Sequence, residues 1–520
     1  MALNAIFSLS CPSCGADVPV YSATSALVVC EYCHSTLIRS GDSAVDSGKK
    51  SALIEDFSPL QLYSSGVFHG ENFTVIGRLQ IHYDRGCWNE WYVLFDSGKY
   101  GWLADFSGQY VLTQEQQPVS APCPFNKLKA GTTRIKFNNV YYIAADVRHA
   151  TSVKANAQGE LPFTLEKDEV VLSADFRYRN DFLTLDYSDN EQYPVLYAGK
   201  EVKLGDLRCQ NLRSDDQIQQ AAGKLKGQRS AFSCPNCGAP LAWYPGVAQN
   251  VICSSCHSDI DLSEGKAQVM RTVQMRKAQE EDITLKLGEM AKIGGIRWTV
   301  IGFIRVLEIP PEDALRYIDG NTKPASFGSD YWYEYLLYSP GKGFIWLVES
   351  ENGWDLSHTT DTWPDLDIKT KPYVNNKALP PLYDYGGRVA YAVGAFYWHI
   401  EPDDITYYQD YRYNQGKLCA ERTADELSWS VSRPVGSNEL ATWFARPELV
   451  AAVKQQTAAP TGKSAALLLL ITFFFINTPA IIASLTNDTF MFVLIVCFIV
   501  HWIIWHPYKT DNDDDDDDDD

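Results

Sequence analysis

Along most of the chain, apolar and polar residues alternate over short runs, and Gly, Asp and Asn break the runs apart. Phe73-Thr-Val-Ile-Gly77, Trp88-Asn-Glu-Trp-Tyr-Val-Leu94 and Gly101-Trp-Leu-Ala-Asp105 are of this kind. So are Trp298-Thr-Val-Ile-Gly302, Trp332-Tyr-Glu-Tyr-Leu-Leu-Tyr338 and Ile345-Trp-Leu-Val-Glu349. A period of two in aromatic and β-branched residues predicts antiparallel strands joined by tight hairpins. Asp96-Ser-Gly98 and Ser339-Pro-Gly-Lys-Gly343 supply hairpin loops at equivalent places. Further strands are expected at Val140 to Val147, Val170 to Phe176, Phe182 to Tyr187, Arg388 to Ile400 and Ile405 to Tyr413. Helical periodicity is sparse, and two connecting helices are expected, Ser214 to Lys226 and Val269 to Ala291.

The runs come in two sets. Phe73 matches Trp298 at an offset of 225, whereas Trp88 matches Trp332 and Trp102 matches Trp346 at 244. The second set therefore holds 19 extra residues, expected between Glu308 and Asp330. Ahead of each set stands the same cysteine pattern. Cys11, Cys14, Cys30 and Cys33 are spaced as Cys234, Cys237, Cys253 and Cys256 are, and Cys-Pro-x-Cys-Gly-Ala opens both. An offset of 223 is too long for a solenoid and reads as a duplicated ribbon-plus-domain module.

Two C-x-x-C knuckles on facing hairpins present four thiolates tetrahedrally, as zinc requires. Two zinc ions are expected, both structural, because four protein ligands leave no open position for hydrolysis. A ribbon of such size folds around its metal rather than around a core. Disulfides or iron in the same thiolate set are the competing readings. His34 and His257 follow the last ligand of each set and could be extra ligands, but the set is already complete, so they are expected beside the site or on the surface. Cys87, Cys123, Cys209, Cys419 and Cys497 have no partner in the pattern and are read as small buried hydrophobes. Met1 to Ser10 offers no basic n-region or long apolar h-region, so reduced, cytosolic thiols are expected.

Acidic residues recur beside tryptophans in both sets. Trp88, Glu90, Trp102 and Asp105 in the first match Trp332, Glu334, Trp346 and Glu349 in the second. Such pairs can cradle a cation through charge and ring face. The plainer reading packs each Trp in the core and turns the acids to solvent. The net charge of -20 includes nine Asp between Asp511 and Asp520, and the rest of the chain is acidic as well. That argues against nucleic acid and admits cationic partners. No nucleotide loop, nucleophile elbow or catalytic triad is present, so no enzyme is expected.

Near the end, 465–485 and 490–505 are apolar and uncharged, and Lys454, Lys463 and Lys509 flank them. Length and charge predict a transmembrane hairpin with both ends cytoplasmic. The expected architecture is mainly β. It comprises zinc ribbons at 5–45 and 231–265, antiparallel β domains at 55–213 and 266–435, and linkers at 214–230 and 436–463. A two-helix membrane hairpin at 464–506 and an acidic tail at 507–520 complete it.

These features together resemble bacterial proteins of domain-of-unknown-function family 4178. The resemblance rests on the paired ribbons, the blocks around Phe73, Trp88 and Gly101, Gly159-Glu-Leu-Pro-Phe163, Thr184-Leu-Asp-Tyr-Ser188 and Ala395-Phe-Tyr-Trp398. It is expected to cover nearly everything before the hairpin. It carries over all eight cysteine ligands but no catalytic residue, and it implies links to envelope homeostasis and polyamines. The function expected first is a membrane-anchored scaffold that binds protein partners at the inner membrane. A sensor of small cations such as polyamines comes second, and an enzyme last.

Overall fold

The computed structural model describes residues 5 to 450 apart from 6, 41–42, 51–52, 54–57, 84–85, 107–108, 118–122, 166–168, 215, 219–232, 240–249, 254, 257, 262–267, 273–282, 321–329, 340–341, 361–362, 368–370, 399 and 402. One compact unit runs to Arg446, and a second begins at Pro447.

The first ribbon consists of β1 (Phe7–Ser10), β2 (Asp17–Val20), β3 (Leu27–Val29), β4 (Ser35–Ser40) and β5 (Ser43–Lys50). A short β6 (Ser65–Phe68) then leads into a meander of β7 (Glu71–Tyr83), β8 (Gly86–Phe95), β9 (Tyr100–Phe106) and β10 (Gln109–Glu115). After β11 (Arg134–Phe137) comes a second meander. It contains β12 (Val140–Leu161), β13 (Glu169–Tyr178), β14 (Asp181–Asp186) and β15 (Val195–Val202). β10 pairs with β15 and β12 with β7, all antiparallel, so the two meanders close into an eight-stranded barrel. Closure removes the sheet edges that alternating strands would otherwise expose.

The second copy repeats this plan. β16 (Asn250–Ile252), β17 (Ser258–Asp261) and β18 (Gln268–Thr272) belong to its ribbon, and β19 (Met290–Ile293) precedes its barrel. β20 (Ile296–Ile309), β21 (Tyr331–Ser339), β22 (Gly343–Ser350) and β23 (Gly353–Thr359) form one meander. A small sheet of β24 (Asp365–Leu366), β25 (Pro372–Val374) and β26 (Lys377–Ala378) separates it from the next. That next meander is β27 (Pro381–Phe396), β28 (Ile405–Tyr413), β29 (Gly416–Arg422) and β30 (Leu427–Val435). β23 pairs with β30 and β27 with β20. The extra residues fall where expected: the short connection between β7 and β8 becomes residues 310–330, which include α1 (Pro311–Ile318). A helix α2 (Ser437–Phe444) follows β30.

The repeated glycines mark the closure. Gly77 lies opposite Gly159 and Gly302 opposite Gly394, each beside a bulge in the first strand. A Cβ on Gly77 would stand 1.8 Å from the Glu160 carbonyl oxygen, and one on Gly394 2.3 Å from that of Ile301. Gly159 and Gly394 also take positive φ, at +72 and +106. A side chain at these crossings would force the barrel open.

The two copies pack against each other. Ile143 and Ala145 join Trp363, Tyr411, Leu418 and Trp429 in one apolar cluster. Val147 N–H donates to the Asp425 carbonyl at 2.8 Å, and Arg179 pairs with Asp365 at 2.5 Å.

Several expectations are corrected. The ribbons are not separate units ahead of their domains: β3 pairs with the end of β12 and β16 with the end of β27, so ribbon and barrel share one sheet. The helix expected from Val269 to Ala291 is strand at both ends, in β18 and β19, because β-branched and charged residues there complete sheet edges. Of Ser214 to Lys226, Asp216–Ile218 are helical and 219–226 lie outside the described residues. The membrane hairpin and the multi-pass inner-membrane placement are corrected too. Among the described residues no helix is long and apolar enough to cross a membrane, and α1 and α2 have eight residues each. The segments 465–485 and 490–505 and the acidic tail lie outside the described residues.

Candidate metal centres and barrel interiors

Each knuckle is shaped by its backbone before any metal enters. Cys11 N–H donates to the Ala16 carbonyl and Gly15 N–H to that of Cys11, both at 2.8 Å. Cys234 with Ala239 and Gly238 with Cys234 repeat both bonds at 2.8 Å. Gly15 and Gly238 take φ of +76 and +75, which lets the chain fold back under the sulfurs. His34, after Cys33, holds the matching left-handed position of the other knuckle at φ 59, so its role there is conformational.

The sulfurs converge. Cys11 Sγ lies 3.7 Å from Cys33 Sγ, and Cys14 Sγ 3.7 Å from Cys30 Sγ. In the second cluster Cys234 and Cys256 are 3.4 Å apart and Cys237 and Cys253 3.8 Å. A tetrahedron with metal–sulfur bonds of about 2.3 Å has sulfur–sulfur edges of about 3.8 Å. Hydrogen bonds from the Ser35 hydroxyl and N–H hold the Cys33 thiol down to about 6. Burial pushes Cys256 up, but the matching bonds from Ser258 outweigh it and hold the thiol at about 6. The Ala16 N–H favours the Cys14 thiolate, yet burial and the neighbouring sulfurs drive it up to about 12. Four sulfurs this close ionise together only around a cation. Each four-cysteine set can therefore hold a metal ion, and all eight predicted ligands are in place. Cys123, Cys209 and Cys419 are free thiols, and the side chains of Cys87 and Cys497 lie outside the described residues.

The first ribbon is clamped to its barrel by Glu160, at the end of β12. Its carboxylate accepts from Tyr21 N–H at 2.5 Å, Ser22 N–H at 3.0 Å and the Ser25 hydroxyl at 2.5 Å. Nothing in the spacing of the sequence marks this residue, because its partners stand far away along the chain.

Strand register divides the tryptophan–acid sets. Trp88, Glu90 and Trp102 point into the first barrel; Trp332, Glu334 and Trp346 point into the second. In both copies the indole N–H donates to the acid two residues on, Trp88 to Glu90 and Trp332 to Glu334, at 2.8 Å. Asp105 and Glu349 face outward and are buried under flanking segments. Asp105 accepts from the Ser58 hydroxyl, and Glu349 from Tyr335 at 2.8 Å and Thr284 at 2.6 Å. None of the four acids faces open solvent, contrary to the plainer expectation. Sequence reasoning grouped them because it lacked the register: Glu90 lies opposite Ala104, so Asp105 falls on the other face.

Further polar groups line the interiors. In the first barrel Arg148 stacks over Trp88, Thr184 donates to Asp175 at 2.7 Å, and Arg177 pairs with Glu201. In the second, the Ser430 hydroxyl donates to Glu421 at 2.5 Å, and Lys417 binds Asp410 at 2.8 Å. Burial raises the Glu90 carboxyl to about 8 and that of Glu421 to about 7, and it lifts Glu334 above the usual range. Glu90, Glu334 and Glu421 nonetheless keep partial accessibility while the wall surrounds them, so they border internal space.

No curated protein and no solved structure matches the chain. One family profile matches it twice, over residues 64–204 and 286–437. Each match spans one barrel and leaves the ribbons outside, which narrows the coverage expected from the resemblance. The two stretches make up more than half of the sequence, and the chain belongs to the family described as Domain of unknown function (DUF4178), in two tandem copies.

Proposed function

We propose that the protein binds a small ligand inside its barrels, and that a structural zinc ion in each four-cysteine set pins a ribbon across the end of each barrel. The observation that carries this reading is the Trp–Glu pair turned inward in both closed barrels, bordering internal space. Eight-stranded barrels are wide enough for side chains or one small ligand. Two partly accessible carboxyls with raised pKa values are a costly way to fill a barrel that serves only as a core. Zinc suits a closed set of four thiolates without a redox role. Native mass spectrometry of the full chain, before and after mild unfolding, tests the reading. A small molecule released on unfolding, with two zinc ions per chain, is expected. A ligand-free chain that also shows no saturable binding to any small molecule counts against it.

A second reading, a scaffold for protein partners, has one observation in its favour: Tyr32 is 76% exposed at the knuckle between Cys30 and Cys33. Loss of a stoichiometric partner from native pull-downs on Tyr32→Ala would support it, and an unchanged partner set would remove it.

A further inference from the structure

The two barrels differ at one internal position, and the difference has a chemical direction. In the first barrel a cation is built in. The Arg148 guanidinium carbon lies 4.7 Å from the centroid of the Trp88 ring, and its charge favours the ionised form of Glu90. Strand register locates the same position in the second barrel. Tyr178 faces Asp181 at the β13–β14 turn, as Tyr413 faces Gly416 at the β28–β29 turn. Counting back from those turns, Ser173 opposite Asp186 corresponds to Tyr408 opposite Glu421. One strand further, Ser173 faces Arg148 and Tyr408 faces Tyr385. Tyr385 therefore stands where the first barrel has its arginine.

The replacement supplies rings in place of charge. Tyr385 stacks on Tyr408 with centroids 4.9 Å apart, and both meet Trp332 edge-on, at 5.6 and 5.9 Å. Glu334 keeps the Trp332 N–H, and Glu421 on the far wall keeps the Ser430 hydroxyl. Among the described residues no Lys or Arg pairs with either acid. Lys417, whose charge reaches Glu421, is already held by Asp410 at 2.8 Å and Asp355 at 3.7 Å. Three aromatic rings and two partly accessible carboxyls on the inner face of the wall attract a cation by ring quadrupole and by charge.

We propose that the second barrel binds one small organic cation, a guanidinium or primary ammonium, between Trp332, Tyr385, Tyr408, Glu334 and Glu421, which supplies the charge that Arg148 builds into the first. This rests on the reading of the barrels as ligand receptacles. The raised carboxyls fit the cycle: burial favours their protonated forms and an arriving cation favours the ionised ones, so binding releases protons.

Isothermal titration calorimetry on the full chain tests it, with n-butylguanidinium and n-butylammonium chloride as the two probes at pH 7. One saturable site per chain is expected for at least one probe, with an observed heat that changes linearly with the ionisation enthalpy of the buffer, the slope giving the protons released. Glu334→Gln and Glu421→Gln should each weaken binding at least tenfold. Tyr385→Arg should abolish it while circular dichroism and Tm stay native. Arg148→Ala should open the first barrel and raise the stoichiometry to two. No saturable heat with either probe overturns the cation assignment; a neutral aromatic ligand that then quenches tryptophan fluorescence leaves the receptacle reading standing. Saturable binding that survives Glu334→Gln and Tyr385→Arg places the cation outside the barrel and overturns both.

Discussion

Glu90→Gln isolates one buried carboxyl and gives it a measurable pH signature. The folded chain holds the Glu90 proton up to about 8, because burial disfavours the anion and Asp175 and Asp105 add to that, while the Trp88 N–H and Arg148 oppose it. Unfolded, the same carboxyl titrates near 4.3. Between those values the folded state binds a proton that the unfolded state has lost, so stability falls as pH rises. The contribution is fully present below about 4.3 and gone above about 8. A gap of nearly four pKa units corresponds to at most about 5 kcal/mol. Glu90 borders internal space that water can enter, so screening cuts this to ~2 kcal/mol at pH 8. Glutamine keeps the acceptor for the Trp88 N–H and has no proton to lose. Urea unfolding at a series of pH values should therefore give wild type and variant the same midpoint at pH 4. By pH 8 the variant should be the more stable. Parallel midpoints across that range would refute the assignment of Glu90 to a buried, proton-holding site.

Three more outcomes follow from the geometry. Chelation at neutral pH should expose eight additional thiols in a colorimetric titration and lower Tm, and added zinc should restore both; fewer thiols would mean disulfides in place of a metal site. Gly77→Ala should fail to give a native near-ultraviolet circular dichroism spectrum, since its Cβ would sit 1.8 Å from a backbone oxygen, whereas Gly302→Ala, at 2.9 Å from backbone and from the Phe396 ring, should fold with reduced Tm. Glu160→Ala leaves two backbone N–H groups and one hydroxyl without their acceptor, at about 1–3 kcal/mol each, and should let protease cut ahead of β3 while the second ribbon stays protected.

Much of this architecture is legible in the sequence because it is local. The C-x-x-C spacing fixes the knuckles, Gly98 marks one hairpin, and the change of offset between matching blocks puts the inserted helix between β20 and β21 within a few residues. Closure is not local. Whether Gly77 meets Gly159 depends on the curvature of the whole sheet, which no window of alternating residues encodes. The same gap separates Glu90 from Asp105: their spacing to the nearest tryptophan looks alike, and only the register of β8 against β9 puts one inside and the other out. The docking of the ribbons was hidden for a related reason. β3 and β16 are three residues each, too short to show that they continue the sheet of a barrel whose receiving strand lies more than a hundred residues further on.

The late arrival of that receiving strand has a consequence for biosynthesis. As the chain leaves the ribosome, the first knuckles appear long before β12, the strand that both covers the flank of β7 and receives β3. Until β12 emerges, β7 has an open flank and the ribbon has nothing to dock on, the condition in which nascent β proteins stick to their neighbours. Contacts this distant in sequence also form slowly. A metal captured early would keep the ribbon folded and its sulfurs out of reach during the wait. Scarcity of that metal should therefore show first as loss of newly made chains, with chains completed earlier persisting.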